Sequence, residues 1–321
     1  MAEQYTYAVA RVRAKELTLL SEQDIKALLA ARTYEDCLRL LADKGWKAAE
    51  KGAEAMLSAE TAETWATVRE LVEDMSVFDV FLYPIDFHNL KAAVKSVVTN
   101  SGQEANLFLP RGTVSTEGMV KAVQARDFSD LPAHMREAAG EATTVLLQTG
   151  DGQLCDVIID RAALTAIRDS GRAAKDALIQ AYAELTVAVA DIKIAVRGQK
   201  TGKNAAFLRR MMVSCETVDV DALIRAAVAG REEIYAYLQN TRYGEAVEEL
   251  KKSPSAFERW CDDRMMELIR PQKYNSFTIA PLAAYILARE NEIKMVRLVL
   301  SAKRNRLDES VIRERLREMY V

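Results

Sequence analysis

The chain has 321 residues, 50% of them hydrophobic and 28% charged, with a formal net charge of −3. That length buries more than one small core, and the slight acidity argues against a nucleic-acid binder, which carries a basic excess. No run reaches the roughly 18 uncharged apolar residues that span a bilayer, and MAEQYTYAVARVRAKE, with Glu3, lacks the apolar core of a secretory leader.

Only six prolines and thirteen glycines punctuate a sequence dominated by Ala, Leu, Glu, Lys and Arg. Helix is therefore favoured nearly throughout, and the fold class is all-α. Tyr5, Tyr7 and Arg11, near the start, are open to packing or to contact. In LTLLSEQDIKALLAARTYEDCLRLLADKGW, Ser21 is an N-cap, Asp24 closes a capping box, and Ile25, Leu28 and Leu29 form an apolar stripe. A second short helix follows, with Leu38 and Leu41 on one face and Gly45 as its stop.

The same pattern returns twice. VSTEGMVKAVQARDFSDLPAHMREA has Ser115 as cap and Met119, Ala122 and Val123 in the stripe. TVDVDALIRAAVAGREEIYAYLQNTRYGEA has Asp219 as cap, with Leu223, Ala226 and Ala227. The first stripe residues lie 94 and 104 residues apart. A second landmark keeps the same step: Asn89-Leu90-Lys91, Asp191-Ile192-Lys193 and Glu292-Ile293-Lys294, whose lysines are 102 and 101 residues apart. A third pairs Asp160-Arg161 with Asp263-Arg264, 103 residues on. Three landmarks in step predict an internal repeat of three helical subdomains, residues 1–110, 111–214 and 215–321.

RGQKTGKN, Arg197 to Asn204, superficially suggests a phosphate loop. Such a loop needs four residues between its glycines and Ser or Thr after the lysine; here three separate Gly198 from Gly202, and Asn204 follows Lys203. Its counterparts in the repeat, VVTNSGQE and LSAKRNRL, lack the glycine pair, so the glycines read as a helix end. Cys37, Cys155, Cys215 and Cys261 stand singly and read as buried thiols, neither metal ligands nor disulfides. His88 and His134 have no partners for a triad or a metal site, and His88, two residues after Asp86, points to a different helix face. Met211, Met212 and Phe207 read as core. No catalytic residue, metal site or cofactor site is predicted.

On these residues the sequence resembles the C-subunit family of prokaryotic V-type and A-type ATPases, whose eukaryotic counterpart is the V-ATPase d protein. YAVARVRAKELTLLSEQDIKALL, YPIDFHNLKAAVKS and LAAYILARENEIKMVRLVLSAKRNRLDESVIRERLREMYV carry the resemblance, which covers essentially the whole chain. Asp191 departs from the family pattern, which has Asn there. The resemblance implies three helical subdomains forming a funnel and a non-catalytic central-stalk adaptor. Its partners would be the shaft subunits and the membrane rotor ring, with no nucleotide or nucleic acid bound. It would transmit torque from the cytoplasmic face, touching the membrane only peripherally. A soluble helical-repeat scaffold is the alternative, and a nucleotide-dependent enzyme built on the loop at Gly198 a weaker third.

Two residue sets follow. Lys193, Arg197, Lys200, Lys203, Arg209 and Arg210 form a run with no acidic member, read either as a face for anionic headgroups or acidic ring loops or as a solvated helix face. Asp86, Asn89, Lys91, Asp191, Lys193, Glu292 and Lys294 belong to a motif that recurs across the copies and read as polar links between helices, with partner contact as the alternative.

Overall fold

A computed structural model describes residues 5–100 and 107–321; Glu3 and the second half of the connection VVTNSGQE fall outside them. The described residues contain sixteen α-helices, a few 3-10 turns and no strand. Helices α1 to α5 span Thr6–Glu16, Glu22–Ala30, Tyr34–Asp43, Ala53–Leu71 and Asp79–Val98. Helices α6 to α10 span Thr116–Ala125, Ala133–Thr149, Gly152–Ala173, Ala177–Lys200 and Ala205–Met211. Helices α11 to α16 span Val220–Ala229, Arg231–Gln239, Ala246–Lys252, Pro254–Ile269, Ala280–Arg304 and Glu309–Arg313.

The three expected caps are in place, each accepting a backbone N–H three residues on. Ser21 holds Asp24 at 3.3 Å within a full capping box, Ser115 holds Gly118 at 3.0 Å, and Asp219 holds Ala222 at 3.0 Å. Behind each cap the apolar stripe is buried, except that Leu38 and Ala226 are only half-buried. Gly45, at φ +92°, ends α3 in the left-handed conformation that glycine adopts without steric penalty.

The chain divides into two compact units, one made of Met1–Met75, Lys175–Ile179 and Glu245–Val321, the other of Ser76–Ala174 and Gln180–Gly244. In the first, α15 is the central helix: every residue from Ala280 to Arg289 is buried, and α1, α2, α3, α4 and α14 pack around it. Its core joins Ile25, Leu28, Leu29, Leu41 and Met56 to Val296, Val299 and Leu300. In the second, α5 and α8 pack together and against α7, with Phe87, Leu90, Met119, Met135 and Ile159 at the centre. Chain segments far apart in sequence thus share a core, and buried polar side chains fix the connections between them.

Candidate functional site

Three long helices, α5, α9 and α15, each place an acidic or amide side chain against the segment that leads into a capped helix. On α5, Asn89 donates from Nδ2 to the Leu109 carbonyl and accepts the Leu109 N–H at Oδ1, both at 2.8 Å. One turn earlier, Asp86 Oδ2 accepts from Thr113 Oγ1 at 2.7 Å and Oδ1 accepts the Val114 N–H at 3.2 Å. A Cβ on Gly112 would stand 2.2 Å from Asp86 Oδ1, so only glycine lets the backbone approach the carboxylate this closely. Both clamps sit just ahead of cap Ser115.

Helix α9 does the same ahead of cap Asp219. Glu184 Oε1 accepts from Glu216 N–H at 2.9 Å and Thr217 N–H at 2.7 Å, and Asp191 Oδ1 accepts from Val213 N–H at 3.1 Å. On α15, Glu292 Oε1 accepts the Leu20 N–H at 2.5 Å, next to cap Ser21. Asp86, Asn89, Asp191 and Glu292 are all buried. The lysines following these motifs differ: Lys91 pairs with Asp160 at 2.6 Å, Lys294 with Asp262 at 2.5 Å, and Lys193 lies exposed.

Asp191 is the outlier. Asn89 satisfies both functions of one backbone residue, whereas the Oδ2 atom of Asp191 has no hydrogen-bond partner. Burial, only partly offset by the Val213 N–H, pushes its carboxyl up to about 7. At Asp86 burial also raises the carboxyl, but Thr113 and Val114 oppose it.

A charged triad lies beside Glu292. Arg289 donates to Glu292 through a short contact and faces Glu60 at 3.7 Å; all three residues are buried. Glu60 Oε1 also accepts the Lys47 N–H at 3.3 Å, and the guanidinium lies 5.9 Å from the Trp46 ring centroid. Burial raises both carboxyls, with Arg289 holding each back; burial opposes the charge on Arg289, but Glu292 and Glu60 outweigh it.

Glu60, Glu184 and Arg289 are absent from the residues that the sequence singles out. For Glu60 a signal exists, because it falls four residues after Met56 and four before Thr64, on the buried stripe of α4.

The RGQKTGKN stretch joins α9 to α10. Gly202, at φ +64°, ends α9: its N–H donates to the Gln199 carbonyl at 3.2 Å, and the Lys203 N–H donates to the Gly198 carbonyl at 2.9 Å. Contrary to the expectation that both glycines end the helix, Gly198 lies in its last turn, where a Cβ would stand 2.4 Å from Leu208 Cδ2. Its role is close packing of α10. Asn204 then caps α10 by accepting the Phe207 N–H at 2.9 Å.

Lys193, Arg197 and Lys200, spaced four and three residues apart, are exposed on one face of α9. The Lys203 ammonium stands 4.5 Å from the Phe207 ring centroid, Arg209 pairs with Asp221 at 2.7 Å, and Arg210 lines a groove of about 610 Å³ with Tyr83, His134, Glu137 and Asp169. Phe207 and Met211 are half-buried and Met212 is buried, whereas Tyr7 is exposed and its hydroxyl accepts from Arg11 at 2.8 Å.

His134 packs against Tyr83 in a tilted contact, ring centroids 4.7 Å apart, and burial lowers its basicity. The four cysteines are free thiols, Cys37 and Cys155 buried and Cys215 and Cys261 half-buried. Among the described residues no group of His, Cys, Asp and Glu could hold a metal ion, and no helix is long and apolar enough to cross a membrane.

Among the described residues, which are helical with no strand, buried polar side chains of α5, α9 and α15 thus hold the connections that lead into capped helices. The chain belongs to the ATP synthase (C/AC39) subunit family, whose description matches residues 8–315. It is similar to the C subunit of the V-type sodium ATPase from Enterococcus hirae, 23% identical over 322 residues, covering 96% of this chain and 97% of that one. It is also similar to the C subunit of the A-type ATP synthase from Thermococcus kodakarensis, 24% identical over 331 residues, covering 97% and 89%, and to that of Desulfurococcus sp., 24% identical over 338 residues, covering 97% and 90%.

Proposed function

We propose that this chain is the non-catalytic central-stalk adaptor of a rotary ATPase. It would link the shaft to the membrane rotor ring and transmit torque for ATP hydrolysis or synthesis coupled to H⁺ or Na⁺ transport. The observation that carries the proposal is the family match along nearly the whole chain. The clamps supply a physical reason: an adaptor under torque must not shear at its connections, and buried, hydrogen-bonded side chains resist that better than free loops. We further propose that residues 1–110, 111–214 and 215–321 are three copies of one subdomain arranged as a funnel. The order of capped helix, second helix, long helix and clamping helix recurs in α2 to α5, α6 to α9 and α11 to α15, with α13 and α14 together standing for one helix. Glu292 of the third copy holds Leu20, next to the cap of the first, as Asn89 and Asp191 hold Leu109 and Val213, just before the second and third copies.

Gentle solubilisation of native membranes followed by mass spectrometry of what copurifies with the tagged chain tests the adaptor role. Recovery of ring, shaft and head proteins is expected. Purely soluble partners from membranes that keep the rotor intact would favour the scaffold alternative and end this reading.

The basic run Lys193, Arg197, Lys200, Lys203, Arg209 and Arg210 is proposed as the face toward the ring or its lipid. The double reversal Lys200→Glu/Lys203→Glu should weaken ring association about tenfold or more at low salt, and less at high salt, where screening already suppresses the attraction. Unchanged binding at low ionic strength would leave the run as a solvated face.

A further inference from the structure

Four buried side chains hold the segments ahead of the capped helices, and in three of them every polar atom is engaged. Asn89 uses both ends of its amide on Leu109, Asp86 divides its oxygens between Thr113 and Val114, and Glu292 divides its own between Leu20 and Arg289. In Asp191, Oδ1 accepts the Val213 N–H, but Oδ2 is buried with no partner. Burial without a donor makes the ionised form costly, whereas the protonated form keeps the same Val213 bond and buries no charge. The clamp on the connection from α10 to α11 is therefore linked to a single proton.

The groups that face Asp191 bring it no positive charge. Glu184, seven residues earlier on α9, adds negative charge. Cys215, on the connection, stays a neutral thiol, pushed up to about 12 by burial first and then by Glu184 and Asp191. Tyr243, whose hydroxyl meets Thr217 Oγ1 at 2.7 Å, is likewise pushed up to about 12 by burial. The cations close by in sequence are turned elsewhere: Lys193 is exposed, two residues on and so on a different face of α9, and Arg209 of α10 pairs with Asp221 of α11 at the surface.

The connection is placed to open by itself. Three of its N–H groups, those of Val213, Glu216 and Thr217, are held by two carboxylates of one helix, Asp191 and Glu184. Met212, Val213 and Val218 are buried, but Ser214 and Glu216 are exposed, so water stands one residue away from the Val213 bond. A short outward movement of this non-helical segment brings water to Oδ2 without unpacking a helix, the kind of local opening that costs much less than global unfolding.

We propose that Asp191 is a proton-controlled latch on the connection from α10 to α11: protonated, it holds the connection against α9; once its proton passes to solvent, the connection opens locally and admits water. The stiffness of the joint that carries Arg209 and Arg210 would then follow pH, whatever the partners of the chain. The closed form, with its carboxyl pushed up to about 7, keeps a proton that the opened form, at the ordinary 3.8, releases between those limits. The latch is thus tightest below about pH 4, loosens as pH rises, and is loosest above about 7.

Hydrogen–deuterium exchange of the full chain at pH 5.5 and pH 8, read by peptide mass spectrometry and normalised to intrinsic exchange rates, tests the latch. Protection of residues 212–219 is expected to be about thirtyfold lower at pH 8, the ratio that linkage gives between pH 5.5 and a closed-state value of about 7. At both pH values this segment should exchange faster than the buried centre of α8 around Ile158 and Ile159. In Asp191→Asn, which keeps an acceptor for Val213 and does not titrate, the protection should change by less than about threefold. Every other titrating group, His134 included, is common to both proteins. Equal protection at the two pH values in the unaltered chain, or exchange there no faster than in α8, which would make the opening global, overturns the latch without recourse to the variant. The same pH dependence in a folded Asp191→Asn chain overturns it as well.

Discussion

Arg289→Met is expected to destabilise the first unit by about 3–5 kcal/mol at pH 8, the range seen when one partner of a buried ion pair is removed. Methionine fills most of the volume, so the loss is electrostatic. Glu60 and Glu292 would face each other with no countercharge, each already shifted up by burial. Taking Arg289 away raises both further, so the folded protein holds protons that the unfolded chain has released above the ordinary glutamate value of 4.5. Stability then falls as pH rises. The destabilisation should therefore shrink toward pH 5, where the two carboxyls are neutral and one can donate to the other. Urea midpoints of the isolated chain between pH 5 and pH 8.5 measure this. Adding Glu292→Gln to Arg289→Met should recover part of the loss, because the amide oxygen still accepts the Leu20 N–H and one buried charge is gone. A loss below about 1 kcal/mol, flat with pH, would mean that water reaches the triad and screens it.

Local features are the legible part of this fold. Ser21, Ser115 and Asp219 announce helix starts because their signal lies within three residues of sequence, and the stripes behind them follow from helical period alone. The recurrence of Asn89, Asp191 and Glu292 marks positions of interest, but not what they bind. Their partners, Leu109, Val213 and Leu20, lie 20, 22 and 272 residues away. Distance in sequence also hides Arg289, which faces Glu60 on another helix and reads in isolation as the polar end of an apolar run. Gly198 misleads for a different reason: a glycine near a helix end suggests a stop, and only the position of Leu208 reveals a packing contact instead. The basic run is legible as composition; which of its members stay unpaired is not, since Arg209 finds Asp221 in the following helix.

Asp191→Asn should stabilise the chain at pH 8 by about 2–4 kcal/mol and change little near pH 4. Asn89 shows what the position asks for, an acceptor and a donor presented to one backbone residue. A protonated aspartate keeps the Val213 N–H bond at Oδ1 without burying a charge on Oδ2, which has no partner; an ionised one does not. With the folded value near 7 and the ordinary value 3.8, the folded protein keeps a proton that the unfolded chain loses between those limits. The contribution of Asp191 is thus fully present below about pH 4, declines as pH rises, and is gone above about 7. A shift of about three pKa units corresponds to roughly 4 kcal/mol, an upper limit because water entering the site would ease the ionised state. The asparagine variant carries no such titration, so the difference between the two proteins should open between pH 4 and pH 7 and then stay constant. Paired urea titrations across that range measure the difference directly. A constant offset, or a variant that is less stable at pH 8, would mean that Asp191 is ionised in the folded protein and held by a partner other than Val213.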